Sequence, residues 1–496
     1  MNQTRHCSHL WLMRCLKRIA SFICLINLAA CGTAPNSSER FDSRAIGQNL
    51  AQGSFRHELK ASGDGAATTD GWWRQMQQPE LNAWVETALK NNTDLRASLA
   101  RLAQARAQSG IAQAARMPVI YGSAGTSQTN GGAQAMSTMG TASGTVRDQL
   151  NLQMSYEFDF WGRRDFAIES ALQQVSSAEF GVESFQISLI AEVSANYFKA
   201  VSLRERLGLI QKMLVMARKN TQDIQRKLTM GEATQVMLSQ QLIFEQNLLA
   251  QSQDLQTQLE QTLNQLAYLA GTHGGPVPPI AHSMGAVSLP QPATIQPAQL
   301  ICRRPDVLQA ESDLRAANAD LSVARTLLLP SVAVNLSAGQ IASGLTGLTA
   351  GPNGFIQSAL SASQLIFDGG ARRKGIALSE ARRAELIERY ASSILAALRD
   401  TDSAMVSVTR STEKLIWLQS NRAEAQKLAH QMQIMLERGG LDFAQLIQIQ
   451  TAVFGSEDAA VSGLLDRILA QIELYKALGG ALQARPNDCL KAGSQS

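Results

Sequence analysis

Aromatic residues make up only 5% of this 496-residue chain, and histidine occurs six times. So few rings argue against a dense α/β core. Ala, Gln, Leu and Ser fill long stretches instead, the composition of extended helices. No Gly-x-Ser-x-Gly, Walker loop, Gly-x-Gly-x-x-Gly, His-Glu-x-x-His or Cys-x-x-Cys occurs, which removes the nucleophile elbow, the phosphate and dinucleotide loops, the zinc protease helix and the dithiol redox pair. Beyond the first 30 residues no two histidines stand at metal-ligand spacing. The net charge of +4 is small and evenly spread, without the basic, aromatic-studded face that nucleic-acid binding requires. The chain is therefore not read as an enzyme, and no cofactor is expected beyond covalent lipid.

Also missing is any apolar run long enough to span a membrane as a helix, about 20 residues. What the amino terminus has is a targeting signal. Arg14, Lys17 and Arg18 precede the apolar run Ser21-Phe22-Ile23-Cys24-Leu25-Ile26-Asn27-Leu28, and Ala29-Ala30-Cys31 follows. Small residues before a cysteine at this point look like a bacterial lipobox, with diacylglycerol joined to Cys31, cleavage before it, and an N-acyl chain on the new amine. Several acyl chains hold where one only lingers, since each buried CH₂ contributes about 0.8 kcal/mol. The alternative is an ordinary signal peptide with Cys31 incidental; charge, apolar run and small residues at the right spacing favour lipidation. Gly32 follows the cysteine, which in such lipoproteins favours the outer membrane. In the mature chain only Cys302 and Cys489 remain besides Cys31, and sequence leaves them either paired or free.

At this length two to four domains are expected, and the chain is written twice. Asp94 and Pro118 recur as Asp306 and Pro330 at an offset of 212. Phe158-Asp159 with Arg163-Arg164 recurs as Phe367-Asp368 with Arg372-Arg373 at an offset of 209, as do Leu255, Leu259, Leu263, Leu269 and Gly271 in Leu464, Ile468, Ile472, Leu478 and Gly480. The expected organisation is a lipoprotein signal over 1–30, a lipidated linker and equatorial segment over 31–79, a first repeat over 80–271, a Pro-rich connector over 272–297, a second repeat over 298–480 and a tail over 481–496. The connector prolines cannot continue a helix.

Each copy predicts helix, strand, loop, strand, long helix, turn, helix. From Leu150 to Phe160, apolar Leu150, Leu152, Met154, Tyr156, Phe158 and Phe160 alternate with polar Asn151, Gln153, Ser155, Glu157 and Asp159, one apolar and one polar face on a strand. That length suits a tilted strand crossing a bilayer, about 9–11 residues. Strands are placed at about 118–130, 148–160, 330–340 and 354–367, the last mainly from its position in the repeat. A two-layer soluble sheet would alternate in the same way. Four strands, however, cannot close a barrel, for which about eight is the usual minimum, and no spare helix is patterned to cover them. Several chains must pool strands, or the edges stay open. Long helices are expected over about 163–229 and 371–438. From Ala171 to Leu228 apolar positions step by three or four without a proline, a sustained coiled-coil seam. A self-contained helical bundle is the ordinary reading of one such helix; two equal ones, each leaving a hairpin, point instead to packing between chains.

Several short motifs stand in order along both copies: Trp72-Trp73 with Pro79-Glu80-Leu81; Asn91-Asn92-Thr93-Asp94-Leu95; Tyr156-Glu157-Phe158-Asp159-Phe160-Trp161-Gly162-Arg163; Arg303-Arg304-Pro305-Asp306-Val307; Ile366-Phe367-Asp368-Gly369-Gly370; and Tyr475-Lys476-Ala477-Leu478-Gly479-Gly480. With the lipobox, they resemble the TolC family of outer-membrane efflux proteins, in its lipoprotein branch of the nodulation protein T group and the outer-membrane components of resistance-nodulation-division pumps. The resemblance implies an all-α dominated fold with transmembrane β: a homotrimer giving four strands per protomer to a twelve-stranded outer-membrane barrel continuous with a long periplasmic helical barrel. It implies a passive small-molecule duct, with a one-step protein secretion duct as the alternative. Its partners would be outer-membrane lipid, a periplasmic membrane-fusion adaptor and an inner-membrane transporter of the resistance-nodulation-division type. Adaptor contact would fall on the hairpin tips, at Gly231 and Glu232 and at Gly439, Gly440 and Asp442.

One departure bears on gating. The family usually carries an Asp shortly after each tip, and Met237 and Gln448 stand there instead. In relatives, charged residues near the tip pair across helices and hold the tunnel shut. This chain is expected to close less by ion pairing, or to shift that role to Glu232, Arg438 or Asp442. No residue pattern names a substrate.

Overall fold

The computed structural model describes residues 71–129, 145–272, 278–285, 287–289, 297–342, 354–437 and 443–480, with 46–47, 50–51 and 55. Cys31 of the lipobox, the second tip with Gly439, Gly440 and Asp442, and Cys489 all lie outside the described residues.

The duplication is visible in element lengths. After a 3₁₀ turn at Trp72–Met76 and helix α1 (Pro79–Asn91), the first copy runs α2 (Thr93–Ala114), β1 (Val119–Thr129), β2 (Thr145–Phe158), α3 (Arg163–Thr229) and α4 (Gln235–Leu269). After α5 (Pro297–Ile301), the second runs α6 (Pro305–Thr326), β3 (Ser331–Ala342), β4 (Gly354–Ser363), α7 (Ala371–Glu437) and α8 (Phe443–Ala477). The paired helices match residue for residue in length: 22 for α2 and α6, 67 for α3 and α7, 35 for α4 and α8. At 1.5 Å per residue each long helix extends roughly 100 Å.

Local chemistry sets the ends. The Asn92 side chain accepts from the Leu95 amide at 2.8 Å and starts α2, and Thr234 does the same for the Met237 amide at α4; each satisfies an amide the first turn leaves open. Pro305 sits in the first turn of α6, where its missing N–H costs nothing. Helix α3 ends at Gly231, whose φ of 79° is open to glycine without strain.

The four strands form one antiparallel sheet in the order β1-β2-β3-β4, so the two copies join through β2 and β3. Strand β4 stops at Ser363, short of the Phe367 expected from the repeat. The reason is its partner: Ser363 faces Ser331, the first residue of β3 after Pro330, and nothing remains beyond it to accept a ladder bond. β2 likewise ends at Phe158 opposite Val332, two residues before Phe160.

All seventeen seam positions from Ala171 to Leu228 on α3 are buried or half-buried, because α2, α4, α6 and α8 all lie against it. Helix α7 is covered on fewer sides and leaves Leu378, Leu395, Ile416 and Trp417 exposed. The fold explains the difference. α6 rests on both long helices, whereas the pattern of the repeat calls for α2 and α4 to receive a second α7, which this chain has already spent.

Candidate functional site

The sheet has two chemically opposed faces. Register places Ile120, Met154, Leu336 and Ser358 in one row, Gly122, Leu152, Ala338 and Ile356 in the next, and Tyr156, Val334 and Leu360 in another. This apolar face is uncovered: Leu150 is 53% exposed, Leu152 56%, Leu360 74% and Ile356 82%. The opposite face aligns Tyr121, Gln153, Ser337 and Gln357, then Val119, Ser155, Asn335 and Ala359, then Glu157, Ala333 and Ser361, with a polar residue of β2 in every one of these rows. In water such an apolar field is costly, at about 25 cal/mol per Å². A bilayer outside and water inside suit both faces at once. Unpaired edges at β1 and β4 then require further strands, since backbone groups in lipid must all be bonded.

Below the sheet, each strand-to-helix junction is built by one carboxylate. Asp159 accepts from the Arg163 and Arg164 amides at 2.8 and 2.9 Å, opening α3. Its repeat counterpart Asp368 accepts from the Gly370 and Arg372 amides at 2.8 and 2.9 Å, opening α7. The amides bonded to Asp368 stabilise its charged form and hold its carboxyl below the usual carboxylate range. The copies then diverge. Glu157 takes a two-pronged bond from Arg163 at 2.7 and 2.8 Å, and Arg164 lies over the Tyr156 ring, 5.6 Å from its centroid. Trp161 donates to the Pro330 carbonyl at 2.7 Å. The second copy has Ile366 and Gly370 in place of Glu157 and Trp161.

The middle of the molecule is a dense core. Trp72 stacks on Tyr475 at 5.1 Å, the Trp84 indole N–H reaches the Pro279 carbonyl at 3.1 Å, and Met284 of the connector is buried with them. The described part of the connector, 278–285 and 287–289, thus packs on the core. Arg304, at the start of α6, donates to both Asp306 oxygens and to the Ala477 carbonyl at the end of α8. Burial works against its charge; Asp306 and then Asp400 outweigh burial and raise its pKa. Asn92 holds the corresponding place in the first copy, donating to the Leu269 carbonyl at 2.9 Å. Further along, Arg206 of α3 grips Asp458 of α8 with two bonds of 2.6 and 3.0 Å, joining the copies again.

At the first tip, Gly231 and Glu232 are exposed, and the Glu232 amide donates to the Lys227 carbonyl at 2.9 Å. Of the two positions expected at the gate, Met237 is half-buried and Gln448 exposed. The polar contacts near them are neutral apart from one ion pair between α3 and α4. Gln241 donates to the Ala217 carbonyl at 2.8 Å, Asn220 to the Gln450 side chain at 3.3 Å, and Arg218 pairs with Glu245. Gln241 and Gln450 are repeat equivalents, both buried, and sequence reasoning passed over them. Their shared offset of 209 was the available signal. The Trp161, Arg304 and Arg206 contacts gave no such signal, because each partner lies 169 or more residues away.

Comparison with known proteins supplies the rest. The family described as outer membrane efflux protein matches residues 84–272 and 297–480. The chain is 28% identical over 473 residues to the pyoverdine export outer membrane protein OpmQ of Pseudomonas aeruginosa, covering 95% of this chain and 98% of that one. It is 30% identical to OpmQ of Pseudomonas putida, covering 83% and 88%. Among solved structures, the open state of the MtrE outer membrane channel of Neisseria gonorrhoeae superposes with a TM-score of 0.78 at 22% identity, over 87% of this chain and 95% of that one; at that identity the likeness concerns the fold.

Proposed function

Because this chain belongs to the outer membrane efflux protein family, we propose that it carries small molecules outward from an inner-membrane transporter of the resistance-nodulation-division type. It is an outer-membrane channel of a tripartite efflux system and not an enzyme. Three protomers supply twelve strands, and the paired long helices continue the passage into the periplasm. A periplasmic adaptor docks on the hairpin tips, at Gly231 and Glu232 on one and at Gly439, Gly440 and Asp442 on the other. Cys31 carries the lipid anchor.

The observation that carries this reading is the two-faced sheet: exposed Leu150, Leu152, Ile356 and Leu360 on one side, Gln153, Ser337 and Gln357 in register on the other. A passage lined by Gln, Ser and Asn has no need to recognise its cargo, so selection falls to the transporter. Relatives named for export of pyoverdine, a small molecule, favour small cargo over the protein-secretion alternative.

Purified protein reconstituted in planar bilayers tests the channel: discrete conductance steps are expected. A lipoprotein scaffold would enter membranes and pass no current, and that result would overturn the reading. Cargo and partner are tested by deleting the gene and measuring accumulation of a panel of small solutes, with Cys31→Ser separating anchorage from transport.

A further inference from the structure

The divergence between the two junctions leaves an uncompensated cationic patch at the membrane's edge. In the first copy Glu157, Asp159 and Asp165 stand against Arg163 and Arg164, and Asp165 also pairs with Arg116. In the second, Asp368 alone stands against Arg372, Arg373 and Lys374. Ile366 replaces Glu157 and Lys374 replaces Asp165, so two acids have become an apolar residue and a cation. Arg373 and Lys374 are exposed, and among the described residues neither pairs with a carboxylate. Arg372 donates to the Leu327 carbonyl. A Cβ built at Gly369, Gly370 or Gly375 meets nothing within 4 Å, so this junction is open on several sides.

The repeat brings no acid of a neighbouring protomer to this place. Residues 330–332 of the second copy lie beside the first junction. By the repeat, a neighbour's 118–120 segment would lie beside the second, and Pro118, Val119 and Ile120 carry no charge.

The patch adjoins the end of the sheet. Ile366 is 95% exposed and Phe367 86%, just past the end of β4, and they precede the cations by only a few residues. Apolar side chains followed at once by Arg and Lys match a phospholipid from acyl chain to phosphate. The strands run into the periplasmic helices here, so the level is that of the periplasm-facing leaflet.

We propose that Arg372, Arg373 and Lys374, with Ile366 and Phe367, seat the headgroup of an anionic phospholipid at each second-copy junction of the trimer. Where the first copy neutralises its arginines with Glu157, the second does so with lipid. Three junctions of the ring are thereby closed by protein and three by membrane.

The inference rests on the channel reading, and the test separates the two. Full-length trimer in detergent is stripped of lipid, titrated with phosphatidylglycerol or phosphatidylcholine, and the bound lipid counted by native mass spectrometry. The natural chain is expected to retain phosphatidylglycerol preferentially. Arg373→Gln with Lys374→Gln should lower that preference roughly 20-fold, each cation near an anionic surface being worth about a factor of five. Ile366→Glu, at a position too exposed to disturb folding, restores the first-copy arrangement and should lower it too. Arg422→Gln with Lys427→Gln, several turns down α7, should not. Unchanged preference in both test variants overturns the proposal, as does equal protection of the trimer by inorganic phosphate. A trimer that conducts but shows no lipid preference refutes the seat alone; one that neither inserts nor conducts refutes the channel.

Discussion

The indole N–H of Trp161 donates to the carbonyl of Pro330 across 2.7 Å and 169 residues of chain, fastening the first copy's junction to the foot of the second copy's first strand. Its counterpart in the second copy is Gly370, around which a Cβ would find open space. The junctions within a protomer and between protomers are therefore unequal, and a ring of three chains has threefold rather than sixfold stiffness at its neck. Trp161→Phe keeps the ring's bulk and removes the donor. A neutral hydrogen bond contributes about 1 kcal/mol, so the thermal midpoint in detergent should fall by about 1–3 °C. An unchanged midpoint would show that water replaces the indole without loss.

The ends of the two returning helices make a second expectation. Gly271 has a φ of 64°, and a Cβ there would stand 2.6 Å from the Asn91 carbonyl oxygen. Gly479, with a φ of 81°, approaches the Arg303 carbonyl in the same way at 3.1 Å. Gly271→Ala combines a disfavoured backbone conformation with a backbone clash that no rotamer relieves, and should cost about 1–3 kcal/mol. Gly231→Ala is the control. Its φ is as positive but its surroundings are empty, so it should cost about 1 kcal/mol from backbone strain alone. Comparing the two midpoints separates close approach from conformation.

Burial pushes the Tyr197 hydroxyl up to about 12, with Glu80 adding to the effect, and pushes Tyr475 up to about 12 as well. Both sit in the central core. The unfolded chain loses these protons near pH 10 while the folded chain keeps them to about pH 12. Between those values the folded state binds more protons, so stability falls as pH rises. Below pH 10 this contribution is fully present. Unfolding followed by near-ultraviolet circular dichroism should show a loss over that alkaline window, smaller in Tyr475→Phe. A slope unchanged by that substitution, and by Tyr197→Phe, would assign the alkaline loss to other groups.

How much of this could be read beforehand follows from range. The alternation of Leu150 to Phe160 needs only neighbours along the chain, so the two faces of β2 were legible from sequence. β4 places Ala and Ser on both faces, and its end is dictated by where β3 begins, which no local pattern records. The Asp159 and Asp368 caps repeat at one offset and are visible as a repeat. Glu157 against Ile366 is visible too, but it acquires meaning only when Arg163 and Arg164 are seen to fold back on Glu157. Arg304 was noticed only as part of a motif; its bond to the Ala477 carbonyl, 173 residues on, belongs to tertiary structure.

The last expectation concerns closure of the passage. Met237 is held near the first turn of α4, its amide on the Thr234 hydroxyl, and Gln448 is exposed on α8. Neither position bears a carboxylate, and the contacts of Gln241 and Gln450 are uncharged. Neutral hydrogen bonds contribute about half as much as charge-assisted ones and respond little to salt. We therefore expect resting conductance that is higher than in carboxylate-bearing relatives and nearly independent of ionic strength once bulk conductivity is divided out. Gln448→Asp adds one exposed negative charge per protomer on α8. It should lower the resting open probability and make it rise with salt, as screening shortens the reach of the new charge to about 10 Å at 0.1 M. It should also sensitise cells to exported compounds. A variant indistinguishable from the natural chain in open probability, salt response and cell sensitivity would move the gate elsewhere, with Glu232, Arg438 and Asp442 at the tips next to be substituted.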